Sequence, residues 1–294
     1  MFLLSYTQPV KKAREKEYEF VNSRIPAAEK GLSGRIAKRP GFCYNGENQG
    51  REPFKRERFF MEQELKEALF GLLAEKGAGL MGAANLSGVA GAELPVGVAV
   101  AVPLPPKIVR DLQSAPTLEY YAAYHALNEK LDGIVSCGAA FLRERGYAAA
   151  AHTTKTVRKD ADWRTPLPHK TVAARAGLGW IGKSCLLVTE EYGSAVRLSS
   201  LVTDAPLPPD RPVSESRCGS CTVCVRSCPG RALTGALWTP EMPREALFRK
   251  EDCKKAQIER MKKATGMETD LCGLCFAVCP YTRRYLARAT GRGL

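Results

Sequence analysis

The chain has 294 residues, 45% of them hydrophobic and 26% charged, which is enough to bury a substantial core and excludes a disordered or fibrous composition. The formal charge is +13, and residues 1–60 hold thirteen Lys and Arg against seven Asp and Glu; such a balance permits a polyanionic partner such as RNA without demanding one. The opening Met-Phe-Leu-Leu-Ser-Tyr lacks a basic n-region and an adequate apolar h-region, and no run of about 18 apolar residues follows, so neither a secretory leader nor a membrane span is expected, and a cytoplasmic location is.

Residues 1–60 mix basic and polar residues with Gly, Pro and Asn and show no sustained apolar period. Lys11 to Phe20 suits a short helix, whereas Lys30 to Phe60 reads as loop, making 1–60 a basic, poorly ordered tail. Met61 opens an amphipathic helix with Leu65, Leu69, Leu72 and Leu73 on one face, and the folded part is expected to begin there. Gly79 to Leu86 and Val96 to Val102 read as buried strands, the second ended by Pro103 to Pro106. Thr117 to Arg145 is a long helix stopped by Gly146, and Tyr147 to His152 a further strand. His169 to Ala176 is a short helix, and Ser184 to Thr189 and Ser194 to Thr203 are strand-like. The proline-rich Asp204 to Pro212 then links a domain over 61–210 to a second over 211–294.

Between helix and strand lies Gly177-Leu-Gly179-Trp180-Ile-Gly182-Lys183, a G-x-G-x-x-G pattern. A dinucleotide fingerprint needs a strand before it and a helix after it, so that the helix N-terminus meets the pyrophosphate. Here that order is reversed, which argues against the Rossmann reading. Gly177 is instead expected to cap the helix, with Lys183 exposed, and the turn to let a ligand or the cysteine segment approach the backbone closely.

That segment carries the strongest signal. Cys218, Cys221, Cys224 and Cys228-Pro229 form a C-x2-C-x2-C-x3-C-P run; Cys272, Cys275 and Cys279-Pro280 repeat its last three positions, with Thr269 where the first belongs. In such runs three thiolates close round one iron–sulfur cube and the fourth ligates the other cluster. Cys253 is the available replacement for Thr269. The expected sets are Cys218, Cys221, Cys224 and Cys279 for one 4Fe–4S cluster, and Cys253, Cys272, Cys275 and Cys228 for the other. Paired C-x2-C motifs are also zinc signatures, but the tight triple and the proline after each final cysteine favour iron–sulfur. Eleven cysteines at such spacing suit a reducing compartment, which makes a disulfide framework the weaker alternative.

The order His169-Lys-Thr-Val-Ala-Ala-Arg-Ala-Gly-Leu-Gly-Trp-Ile-Gly-Lys183, then Leu201-Val-Thr-Asp-Ala-Pro-Leu-Pro-Pro209, then the cysteine runs, resembles the epoxyqueuosine reductases, most sharply over 169–281. The resemblance implies an α/β (α+β) corrinoid-binding-like domain with a C-terminal two-cluster ferredoxin-like module. It further implies a cobalamin beside one cluster, electrons delivered by a reduced ferredoxin or flavodoxin, and reduction of an epoxide in a tRNA wobble nucleoside. Family members have an acidic proton donor before an S-A-P-type stretch; counting back from Gly177 puts Trp163 there, with Asp162 one residue away. Asp162 is therefore the candidate donor, displaced by one position. The helical-repeat tail associated with tRNA docking in many members has no counterpart before Leu294. These departures support a rival reading, a ferredoxin-like electron carrier or assembly partner without corrinoid chemistry; a tRNA-binding module rests on charge alone.

Among the remaining residues, Gly179, Trp180 and Lys183 are candidates for cofactor contact, Trp180 because it sits in the glycine turn. His125, His152 and His169 lack a carboxylate or metal pattern and read as surface or satisfied histidines. Cys137 and Cys185 read as small apolar core residues, and Cys43 as a thiol in the tail. The pairs Lys254-Lys255, Lys262-Lys263 and Arg283-Arg284 suit either phosphates or a solvated face.

Overall fold

The computed structural model describes residues 52–291, with side chains from 57 onward, and these belong to one compact unit. The expectations for Lys11 to Phe20 and for Cys43 lie outside the described residues.

The first helix, α1, spans Glu52–Glu75. It begins nine residues before Met61, which corrects the reading of 52–60 as loop. The added turns carry Lys, Arg and Glu, good helix formers, and an Arg58–Glu62 pair at 2.8 Å. They have no apolar stripe to reveal them, since Phe59 and Phe60 are both exposed.

Strands β1 (Leu80–Asn85), β2 (Val96–Pro103), β3 (Ala149–His152) and β6 (Val196–Thr203) form a sheet in the order β1-β2-β6-β3, antiparallel throughout. The fold is therefore α+β and not a parallel α/β sheet. Alternation along β2 assigns its two faces. Val98, Val100 and Val102 pack with Leu69 and Leu73 of α1 and with Leu131, Ile134 and Leu142 of α3 (Leu118–Arg143). Ala99 and Ala101 face the other way, among Val172, Ala173 and Ala174 of α4 (His169–Arg175). Small residues there let α4 lie close to the sheet: a Cβ on Gly82 would stand 2.3 Å from the Ala176 carbonyl.

Local signals set the helix ends. Thr117 Oγ1 accepts from the Tyr120 amide at 3.1 Å at the start of α3. Gly177, at φ +76°, follows α4, and the Leu178 amide bonds back to the Ala173 carbonyl at 3.0 Å. The expected strand over Ser184 to Thr189 is shorter: Leu187–Val188 (β5) pairs with Trp180–Ile181 (β4), and Cys185 occupies the intervening turn at φ +60°.

Beyond β6 the chain forms α5 (Val223–Ser227), α6 (Lys250–Thr265), α7 (Leu274–Ala277) and α8 (Pro280–Arg288). These do not stand apart. Ile108 and Val109 of α2 (Pro106–Asp111), with Leu104, Leu112 and Tyr120, share one buried cluster with Leu271, Phe276, Ala277 and Leu286. Tyr285 Oη donates to the Leu104 carbonyl at 2.9 Å, and the Ser194 amide donates to Thr282 Oγ1 at 3.0 Å.

Candidate metal centre and adjoining cavity

The short helices carry or are capped by most of the thiols. Cys224 lies in α5 and Cys228 caps its end; Cys275 lies in α7 and Cys279 is the N-cap of α8, with Pro280 beginning that helix. Cys253 projects from α6. Burial first, then Cys279, Cys218 and Cys221, push the Cys224 thiol up to about 11. Burial, then Cys228, Cys272 and Cys185, push Cys253 up to about 11. Cys275 is raised chiefly by burial and then by Cys272, Cys253, Cys224 and Cys228. Burial raises Cys279, the backbone amides of Thr282 and Tyr281 oppose it, and Cys218 and Cys221 add to the rise. The thiols thus fall into two neighbouring groups, each drawing a member from both cysteine runs, and Cys224 and Cys275 act across the gap. Metal loading deprotonates such thiols, so it must offset this burial.

Further N–H groups point at sulfur: the Ala232 amide to Cys228 Sγ and Gln257 Nε2 to Cys253 Sγ, both at 3.3 Å. Among the described residues no three His, Cys, Asp or Glu side chains converge so as to hold a single metal ion. The donor set, eight thiols in two groups with N–H support, fits a pair of four-iron clusters.

A cavity of about 1150 Å³ opens beside the second group, and Cys228, Cys253, Cys272 and Cys275 form one of its walls. The lining also draws on α4, the β4–β5 hairpin and β6, including His169, Lys170, Leu187, Leu198 and Arg197. Lys170 Nζ donates to the Cys185 carbonyl at 2.8 Å and to its Sγ at 3.0 Å, so Cys185 is buried yet not merely apolar filler. Arg197 is held by Asn128 Oδ1, at 3.1 Å from Nε and 2.9 Å from Nη2, and stacks on Tyr124.

The residues of the glycine turn are placed differently from expectation. Trp180 is fully buried and packs edge-on against Tyr281, 4.9 Å between centroids. Lys183 is 6% exposed, not solvent-facing, and its Nζ donates to the Gly219 carbonyl at 2.8 Å, inside the Cys218–Cys221 loop. A Cβ on Gly179 would sit 2.0 Å from the Val188 carbonyl, and one on Gly182 would touch Cys218 Sγ at 3.4 Å. The turn therefore seats the first cysteine loop against the α+β core, and Gly179, Trp180 and Lys183 are not among the cavity-lining residues.

Asp162 also lies away from the cavity wall. Its side chain is 72% exposed, with Lys250 Nζ 3.5 Å away, and its carbonyl accepts from Arg244 Nη2 at 3.0 Å. Trp163 does line the cavity, at φ +58°, with Lys254 Nζ 3.9 Å from its ring centroid. His169 is the residue the sequence reading underrated. It stands on the cavity wall, its Nδ1 2.9 Å from Ser200 Oγ, and its pKa is lowered to about 4, by burial first and then by His152 and Arg197. Its place at the head of a helix laid against the sheet was the available signal.

Residues 217–282 match the 4Fe-4S double cluster binding domain family. Over 74% of its length the chain superposes on 32% of a catabolic reductive dehalogenase, NpRdhA, solved with 3-bromo-4-hydroxybenzoic acid, at a TM-score of 0.56 and 20% identity. Fold and cysteines together thus define a double-cluster protein on a scaffold shared with reductive dehalogenases. Among curated proteins the chain is similar to epoxyqueuosine reductases: 40% identical over 112 residues to that of Listeria monocytogenes, which is 38% of this chain and 29% of the relative. With the Bacillus subtilis protein it is 35% identical over 119 residues, 40% of this chain and 30% of the relative. The solved Bacillus subtilis epoxyqueuosine reductase superposes at a TM-score of 0.50 with 23% identity, covering 75% of this chain and 66% of that one. The chain thus matches less than a third of the length of these two curated relatives.

Proposed function

We propose that the chain is a two-cluster iron–sulfur reductase whose large cavity receives a cobalamin and the molecule to be reduced. The observation that carries this reading is the shared cavity, lined both by four cysteines and by residues of α4 and β6. Its volume exceeds the ~300–1,000 Å³ of ordinary small-molecule pockets. It leaves room for more than a single small substrate. Ile181, Leu187, Leu198, Met242 and Phe248 give it broad apolar faces, which suit a flat macrocycle. One superposed structure is described as suggesting a mechanism for B12-dependent dehalogenation. Bound there, a corrinoid supplies a low-potential metal able to reduce an electrophilic carbon.

In this reading Cys218, Cys221, Cys224 and Cys279 hold the outer cluster, and Cys253, Cys272, Cys275 and Cys228 the cluster facing the cavity. The amides on Cys228 and Cys253 help set the potential of the inner one. A reduced ferredoxin or flavodoxin supplies electrons, and the substrate is the epoxide of an epoxyqueuosine-type nucleoside in tRNA, in keeping with the curated relatives' name. Among the described residues no helix is long and apolar enough to cross a membrane, and a cytoplasmic setting accords with the free thiols. For Asp162 to act as proton donor, the Asp160–Thr165 segment must turn it inward from Lys250. Gly179, Trp180 and Lys183 serve the centre by holding the outer cysteine loop.

The test is anaerobic purification with cluster reconstitution, followed by cobalamin titration and an assay on an epoxyqueuosine-bearing tRNA stem-loop. The expectation is about eight irons per chain, a corrinoid absorption band that saturates at one equivalent, and loss of the epoxide. Full iron content without cobalamin retention removes the reductase reading and leaves the ferredoxin-like carrier.

A further inference from the structure

At His169 the cavity wall is backed by a small polar constellation, with His152 and Ser200 behind the lining, that the electron-transfer machinery does not use. His169 begins α4, His152 ends β3, and Ser200 lies on β6 opposite His152 in register. Ser200 Oγ is 2.9 Å from His169 Nδ1, and the two imidazole centroids are 6.5 Å apart. His152 Nδ1 is buried without a hydrogen-bond partner. The hydroxyl beside Nδ1 fixes the ring's orientation, and where that hydroxyl donates, the neutral ring carries its proton on Nε2. The other nitrogen is then left for whatever occupies the cavity that the ring lines.

We infer that His169 is a substrate-binding residue: Ser200 donates to Nδ1, and Nε2–H is offered to an oxygen of the molecule reduced in the cavity. The charged and titratable groups that face it are His152 from β3, Arg197 from β6 and Asp132 from α3. Two of these disfavour a proton on the ring, and Asp132 is already engaged by the Thr154 amide at 2.9 Å and the Thr154 hydroxyl at 2.5 Å. The imidazole therefore works as an uncharged donor that polarises an oxygen, a role in which neutral histidine is effective inside a closed site. A hydroxyl, ether or epoxide oxygen is the chemistry it fits; an ammonium or a thiol is not. This inference rests on the proposed reading that the reacting molecule enters this cavity.

Two measurements decide it separately from that reading. The first treats the intact, cluster-loaded chain with diethyl pyrocarbonate, which acylates unprotonated imidazole, and reads His125, His152 and His169 by peptide mass spectrometry. His169 is expected to react, at a rate that stays flat as the pH falls from about 8 to about 5.5; an inert His169 in the folded chain overturns the inference. The second compares His169→Leu and His169→Gln on the tRNA stem-loop. Leucine is expected to lower kcat/KM about tenfold, the weight of one hydrogen bond, and glutamine, whose amide N–H can replace Nε2–H, to restore most of it. Equal losses in both variants at unchanged Tm overturn the assignment. If the wild-type chain leaves the epoxide intact, the reductase reading falls, and the acylation result alone decides whether His169 faces the cavity.

Discussion

At the scale of single residues, His169 makes the folded state sensitive to acid. Its pKa is held near 4, below the ordinary histidine value of 6.5, by burial and by His152 and Arg197. Between these values the unfolded chain binds a proton that the folded chain does not, so stability falls as the pH drops through that window and is unaffected above it. The full effect is at most about 3 kcal/mol, and His169→Gln should flatten Tm against pH between roughly 6.5 and 4. His152, whose pKa burial also lowers, adds in the same direction. Gly179 makes a second residue-level case. Any side chain there meets the Val188 carbonyl at 2.0 Å, a backbone atom that cannot move aside without opening the β4–β5 hairpin. Gly179→Ala should lower both Tm and iron content, because the same turn presents Lys183 to the outer cysteine loop. Iron content equal to wild type would refute that coupling.

At the scale of elements, the two cysteine runs are interlocked. Cys228 stands at the end of α5, in the first run, yet lines the cavity with Cys253, Cys272 and Cys275; Cys279 opens α8, in the second run, yet acts on Cys224 with Cys218 and Cys221. Cys228→Ala is accordingly expected to damage the inner cluster and spare the outer one, and Cys279→Ala to do the reverse. Each would leave about four irons of eight, countable by iron analysis with EPR of the reduced protein. If Cys228→Ala instead removes the cluster held by its own sequence neighbours, the crossed assignment fails. A second coupling joins α1 to the segment after β6. Lys66, 8% exposed, bonds Asp210 Oδ1 at 2.7 Å and the Pro208 carbonyl at 2.9 Å, while Asp210 Oδ2 accepts from the Ala83 amide at 2.8 Å. Asp210→Ala should cost about 1–2 kcal/mol, less than a fully buried pair because its carboxylate is partly solvated.

At the scale of the whole molecule, the cluster segment and the sheet share the core that contains Tyr120, Leu271 and Phe276. Loss of iron absorbance and loss of far-UV ellipticity should therefore coincide in one thermal transition, as a shared core makes unfolding cooperative. Two separated transitions would show that residues 211–294 melt independently. Phe276→Ala, which empties part of that core, should lower stability by about 3–5 kcal/mol and cluster content with it.

What the sequence determined by itself were the features whose cause is local. Thr117 and Gly177 mark helix ends because capping involves only neighbouring residues, and a short apolar run closed by prolines marks β2. The cysteine spacing is likewise local chemistry, legible before any fold. Tertiary structure decided the rest. The antiparallel strand order, the two-residue pairing of β4 with β5 and the start of α1 at Glu52 leave no periodic trace. Lys183 looked like a surface lysine because its partner, the Gly219 carbonyl, lies 36 residues away, and His169 looked unremarkable until Ser200 was brought against its ring and four distant cysteines round the same cavity. Spacing along a chain records which atoms can meet within a turn; which walls enclose a volume depends on packing between segments that the sequence holds far apart.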